Sequence, residues 1–252
     1  TKEAVMIKRL KLNKMRLAML VGLPILLSAC GDEEVEVEVI REVEVIVEVP
    51  APVPTPVDVS YEVTVTNLTN SQPLSPAAVV LHADGHLFSV GEVPSVALEQ
   101  MAEGGMNSGV LALGMASASG ADAIGPGGSE TISVTIQDVT NAKLSVATML
   151  VNTNDAFSGL DALDLSTFAV GDSWTATAGV YDAGTEVNSE AAGTMPGPAD
   201  GGEGFNATRT DTGYVAMHPG VVSGDDGLTN SVLTVQHKFD NPAVRIMVTR
   251  IE

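Results

Sequence analysis

The chain has 252 residues, and its 12 Lys and Arg against 32 Asp and Glu give a formal net charge of −20. Half of the basic residues lie in the first sixteen positions, so residues 30–252 carry 6 basic against 31 acidic side chains, or −25; a surface that negative repels phosphate backbones and excludes nucleic acid as a partner. The single cysteine excludes a disulfide within the chain and a thiolate zinc cage. Aromatic residues make up only 4% of a chain rich in Gly, Ser, Thr, Ala and Val, a composition that suits a secreted β-rich domain better than a helical enzyme.

The N-terminus reads as an address. A basic stretch from Lys8 to Arg16 precedes the apolar run Leu17 to Leu27, with Met6 the expected start. That run is about half the length of a membrane-spanning helix, and its flanks are those of a secretory signal. The break Leu27-Ser28-Ala29-Cys30 resembles a bacterial lipobox. The resemblance implies acylation of Cys30, removal of residues 1–29 and stable anchoring, because two or more acyl chains hold where one is marginal. Gly31 rather than Asp at the next position favours, by the same resemblance, the outer membrane in an organism that has one. The alternative is an ordinary signal peptide with an incidental cysteine.

Residues 30–57 read as an acidic Val/Glu and Pro-rich tether. From Glu34 to Val49 the chain alternates almost strictly between Val and Glu, broken by Arg41, Ile40 and Ile46. Period two with β-branched residues predicts a strand with a Val face and a Glu face. Its six aligned carboxylates oppose in-register pairing with a copy of itself. Two readings stand, an extended charged stalk and a strand that pairs with another chain. Pro50, Pro52, Pro54 and Pro56 then favour polyproline II, and the domain is expected from residue 58.

Residues 58–252 read as one β domain. Strands are expected over residues 59–66, 78–82, 87–90, 131–137, 144–151, 173–181, 232–239 and 244–251, with a turn at Ala83-Asp84-Gly85. Residues 98–103 have helix-forming composition and 110–118 are small and apolar, predicting one or two short helices. Many short strands with Gly, Pro, Asn and Asp turns argue for an antiparallel sandwich or barrel. Residues 190–212, with five glycines, predict a long polar loop.

Two acidic segments stand beside strand ends: residues 152–164, with Asp155, Asp161 and Asp164, and residues 181–186, with Asp182 and Glu186 around Gly184. Calcium takes six to eight oxygen ligands, and a Gly-centred turn lets two carboxylates fold toward one ion. Neither segment fits the twelve-residue helical calcium loop, and a solvated acidic face explains the same composition.

Asn154-Asp-Ala-Phe-Ser-Gly-Leu-Asp161, Tyr181-Asp-Ala-Gly-Thr-Glu186 and Tyr214-Val-Ala-Met-His-Pro-Gly220 together resemble the spondin N-terminal domain in its bacterial lipoprotein form. The similarity runs from about Tyr61 to Ile251 and includes the closing Asn241-Pro-Ala-Val-Arg-Ile-Met-Val-Thr-Arg250. It implies an all-β fold, a C2-like antiparallel β-sandwich, with calcium bound by loop aspartates and a role in matrix and cell-surface attachment. Carried over, Asp161 is the first-loop ligand, and Asp182 and Glu186 are the second-loop pair. Glu186 stands where the animal motif has Asp, and that family's cysteines are missing here.

Catalytic signals are weak. His82 and His86 have the i,i+4 spacing of a helical zinc pair, but Asp84-Gly85 between them predicts a turn. His218 reads as structural, Trp174 as core, and Gly171-Asp-Ser173 as a turn leading into a strand rather than a nucleophile elbow. Paired carboxylates could serve glycoside hydrolysis, yet nine aromatics in the chain supply few sugar platforms. The expectation is a lipid-anchored, non-catalytic binding or adhesion module with calcium among Asp155, Asp161, Asp164, Asp182 and Glu186. Its partner would be a surface or matrix protein or a glycan. The alternatives are an envelope component that self-associates through the Val/Glu stalk, and a hydrolase using the acidic loops.

Overall fold

The computed structural model describes the backbone of residues 14–25 and 37–48 and all of residues 55–252. The chain divides between Thr55 and Pro56. In the first unit, β1 (Lys14–Ile25) pairs antiparallel with β2 (Val37–Glu48), in a register running from Lys14 opposite Glu48 to Ile25 opposite Val37. The alternating segment is therefore a strand, paired with the apolar run of the same chain. Cleavage before Cys30 would remove that partner strand. Cys30, Gly31 and Pro50 to Pro54 lie outside the described residues. Among the described residues, no helix is long and apolar enough to cross a membrane.

The second unit is a sandwich of two antiparallel sheets. Its strands are β3 (Asp58–Asn67), β4 (Ala78–His82), β5 (Ala116–Ser119), β6 (Ser129–Gln137), β7 (Lys143–Met149), β8 (Ala156–Asp164), β9 (Ser173–Ala178), β10 (Val180–Asp182), β11 (Ala216–Met217) and β12 (Val244–Arg250). The larger sheet has the order β11-β10-β8-β7-β4-β5, and the smaller has β6-β3-β12-β9. Two short helices, α1 (Val96–Gly104) and α2 (Ser108–Leu111), connect β4 to β5.

Strand β3 shows why the sequence folds this way. Val59, Tyr61, Val63 and Val65 are all buried, while the residues between them vary, so the alternation places one face in the core. They meet Leu144, Val146, Ile246 and Val248 between the sheets. The larger sheet is also covered on its other face, where Leu98, Met101 and Val110 of the helices pack on Val80, Met149 and Phe157. Burial on both faces explains why Ala78–His82 and Lys143–Met149 read as near-continuous runs rather than alternations. Helix α1 starts where Ser95 Oγ accepts from the Leu98 amide at 3.1 Å, and ends at Gly105 with φ of +68°.

Several sequence expectations need correction. Residues 87–90 form no strand, because the Leu87 amide donates to the Asp161 carboxylate at 2.7 Å instead of joining a ladder. Residues 232–239 hold a short 3-10 turn at Val235–His237, with Leu233 buried in a small satellite cluster. The predicted strand 173–181 is two strands in different sheets, divided at Gly179. Residues 116–119 leave the expected helix to pair with β4. Residues 156–164, read as part of an acidic segment beside strand ends, form an interior strand of the larger sheet.

Two substitutions in this core have opposite signs. Leu144 is fully buried, so Leu144→Ala should cost about 3 kcal/mol through lost transfer and a residual cavity. The buried Tyr61 hydroxyl has no hydrogen-bond partner, and burial raises its pKa. Tyr61→Phe should therefore stabilise by about 1 kcal/mol. Denaturant unfolding of both variants tests the pair, and a destabilised Tyr61→Phe would contradict the assignment.

Candidate cation site

Antiparallel pairing of β8 with β10 sets Ala156 opposite Asp182, which brings the acid before β8 to the turn that follows β10. Asp155 is fully buried there. Its Oδ2 accepts from the Thr185 amide at 2.7 Å, the Thr185 hydroxyl at 3.1 Å and the Glu186 amide at 3.0 Å. Its Oδ1 has no partner. Asp182 Oδ1 accepts from the Gly184 amide at 2.7 Å, and its Oδ2 accepts from Asn188 Nδ2 at 2.5 Å. Gly184 sits at φ +72°, and a Cβ there would lie 2.2 Å from the Tyr214 carbonyl, so only glycine fits the turn.

Glu186 Oε2 and Glu103 Oε1 are likewise buried without partners. Glu103 comes from α1, is fully buried, and uses its other oxygen to accept the Asn206 amide at 2.8 Å. One helical turn earlier, Glu99 makes a two-pronged pair with Arg209 at 3.0 and 2.7 Å, so α1 holds the loop at Asn206 and Arg209. Asn154 and Asn152 clamp the long polar loop from the other side, accepting from the amides of Glu190 and Ala199.

The electrostatics follow from this crowding. Burial, reinforced by Asp182, pushes the Asp155 carboxyl up to about 7. Burial, with Glu103, Asp155 and Glu203 nearby, pushes Glu186 up to about 8. Burial also raises Glu103. His218 is held neutral, burial lowering it to about 4. Its Nδ1 accepts from the Gly220 amide at 3.0 Å, so its Nε2 donates to Asn188 Oδ1 at 3.1 Å. Asn188 in turn holds Asp182, making His218 a positioning group.

Of the five expected ligands, Asp155 lies near enough to Asp182 and to Glu186 for their charges to interact, at the junction of β8 and the turn after β10. Asp161 lies six residues along β8 from Asp155, about 20 Å for extended chain. There it accepts from Ser145 Oγ at 3.0 Å and meets His86 Nδ1 at 2.5 Å. Asp164 is exposed at the far end of the strand and accepts from the Ser166 amide, with Lys143 opposite. Asp161 is the ligand that the resemblance implies and Asp164 belongs to the same acidic segment; an extended strand carries both away from Asp155. His82 bonds Ser145 Oγ at 2.9 Å, so the two imidazoles of the i,i+4 pair have separate partners. Ser173 opens β9, its hydroxyl paired with Thr249.

Glu103 escaped the sequence reading. Its signal is the spacing of Glu99 and Glu103 on a helix whose Leu98, Met101 and Ala102 are also buried. Among the described residues, no group of three or more His, Cys, Asp or Glu side chains is placed so that it could hold a metal ion. The unpartnered oxygens of Asp155, Glu186 and Glu103 nevertheless give the donor chemistry of a hard divalent cation. No protein-family model matches the chain, and no curated protein matches it.

The raised carboxyls fix a pH dependence. Their folded values lie above the ordinary 3.8 and 4.5, so they favour folding in the protonated state and lose that contribution as pH rises toward 7 to 8. In chelator, the melting temperature should fall between pH 5 and pH 8, and Glu186→Gln should flatten the fall. A melting profile that stays level or climbs over that window would contradict this account.

Proposed function

We propose that this chain is a lipid-anchored β-sandwich that binds calcium and serves as a non-catalytic binding or adhesion module of the bacterial cell envelope. The observation that carries the cation is the set of buried, unpartnered oxygens on Asp155, Glu186 and Glu103 around the turn at Gly184. Leaving such groups unpaired costs about 1–3 kcal/mol each, more when charged, and a divalent cation offsets that cost. Asp182, held by Gly184 and Asn188, adds a further carboxylate. The resemblance to the spondin N-terminal domain supports calcium as the ion and surface attachment as the role. The lipobox ending at Cys30 supports anchoring, with the outer membrane as its place. A cation would fix the loop from Ala183 onward in one arrangement, presenting a partner with a preorganised surface.

A second reading, self-association through the Val/Glu segment, rests on β2. Processing before Cys30 removes β1 and leaves the backbone of Val37–Glu48 without its partner. Light scattering of the mature protein with and without residues 31–49 separates the two, since only self-association predicts an oligomer lost on deletion.

Thermal unfolding with calcium, with magnesium and with chelator tests the cation. At a hundredfold excess over Kd, calcium should stabilise by about 2.7 kcal/mol, a rise of about 5–10 °C in Tm. Asp155→Asn and Asp182→Asn should abolish the rise. No shift at millimolar calcium would remove the ion from the function.

A further inference from the structure

A groove of about 330 Å³ opens where the chain leaves β9 at Ala178, passes Gly179 and enters β10 at Val180 in the other sheet. β9 is an edge strand, and its core-side residues Trp174, Ala176 and Ala178 are only half-buried. The two alanines leave the rim of the sandwich unfilled. Phe88, Trp174 and Tyr181 line the space, a third of all the aromatic side chains in the chain. Phe88 stands 4.9 Å from Tyr181, ring centre to ring centre.

Asp161 supplies the charge. It lines the groove with its side chain 14% exposed. Its oxygens already hold the Leu87 amide at 2.7 Å, Ser145 Oγ at 3.0 Å and His86 Nδ1 at 2.5 Å. Three of roughly four acceptor positions are taken, so the carboxylate offers negative potential and little hydrogen-bonding capacity. Thr177, the Tyr181 hydroxyl and the Trp174 indole N–H are the other polar side-chain groups among the lining residues. Residues 58–252 carry five basic against 23 acidic side chains, so an anionic ligand is repelled.

These features favour a cation that meets aromatic faces beside a carboxylate whose own acceptor positions are largely taken. A sugar needs several free donors and acceptors, and a primary ammonium needs three acceptors. A quaternary ammonium needs neither and is attracted to aromatic faces. The volume lies at the small end of the range for ligand pockets, about 300–1,000 Å³, as suits a headgroup. We propose that this groove binds a trimethylammonium group, set against Phe88, Trp174 and Tyr181 of its lining and balanced by Asp161. The group could arrive on a free choline-type solute or on a phosphatidylcholine surface, and both present the same cation. This site is separate from the carboxylate cluster, and its binding does not depend on calcium.

Trp174 is the chain's only tryptophan, so its fluorescence reports on the groove. Choline chloride titrated into the full chain, in chelator, should shift that emission saturably in the millimolar range or below. The neutral isostere 3,3-dimethylbutan-1-ol should bind at least tenfold more weakly. Asp161→Asn should weaken choline at least tenfold, and Trp174→Leu, followed by calorimetry, should abolish binding while the protein melts cooperatively. The second variant decides if the first fails to fold. A shift with phosphatidylcholine vesicles as well as choline assigns the lipid source, and a shift with choline alone assigns the solute. Equal binding of the isostere, unchanged affinity in a folded variant, or no response to choline would overturn the proposal.

Discussion

The carboxylate of Asp155 stands under two opposed demands, and the acidic end of the domain is arranged around them. Oδ2 collects three donors from Thr185 and Glu186, which ties the turn after β10 to the start of β8. Oδ1 is sealed from solvent without a donor. Removing the acid would release the turn; keeping it leaves a buried oxygen without a hydrogen-bond partner, with the Asp182 charge nearby. Protonation relieves the conflict, and so does a positive ion. Under the calcium reading proposed above, such a site would exchange protons for the cation.

The long polar segment beyond Glu186 is held by side chains more than by ladders. Asn152 and Asn154 accept from the amides of Ala199 and Glu190, Glu190 accepts from Val222, and Glu103 accepts from Asn206. Each contact joins a loop amide to an acid or amide side chain. The segment's order thus depends on the same class of groups that crowd the site. Part of the chain's acidic composition, Glu103 and Glu190 among it, is therefore internal scaffolding rather than a solvated face.

How much of this was legible depended on whether a segment had one environment or two. Residues 59–66 declare their strand because one face is buried and the other is not. β8 hid because Ser158 and Gly159 are small and Asp161 and Asp164 are charged, so no period emerges from a strand in the middle of a sheet. Asp164 joined the expected ligands through that segment and Asp161 through the family resemblance, and the strand places both away from Asp155. The Asp-Ala-Gly-Thr-Glu turn was legible because a glycine between two acids has a mechanical meaning, confirmed by the close approach of Tyr214 to Gly184. Glu103 was not, since a glutamate on a short helix ordinarily faces water. The groove was illegible too, being created where Gly179 sends one run of chain from one sheet into the other.

The first strand of the sandwich lies inside its sheet, with β6 on one side and β12 on the other. Its ladder bonds lie across the strand direction. A pull along β3 from the side of Pro56 therefore loads both ladders in shear, where bonds along the length must yield together instead of one after another. The C-terminal strand forms one of those two ladders, so the chain's last regular element locks its entry point. As a mechanical part, the domain is thus entered through a strand held on both sides rather than through a free edge.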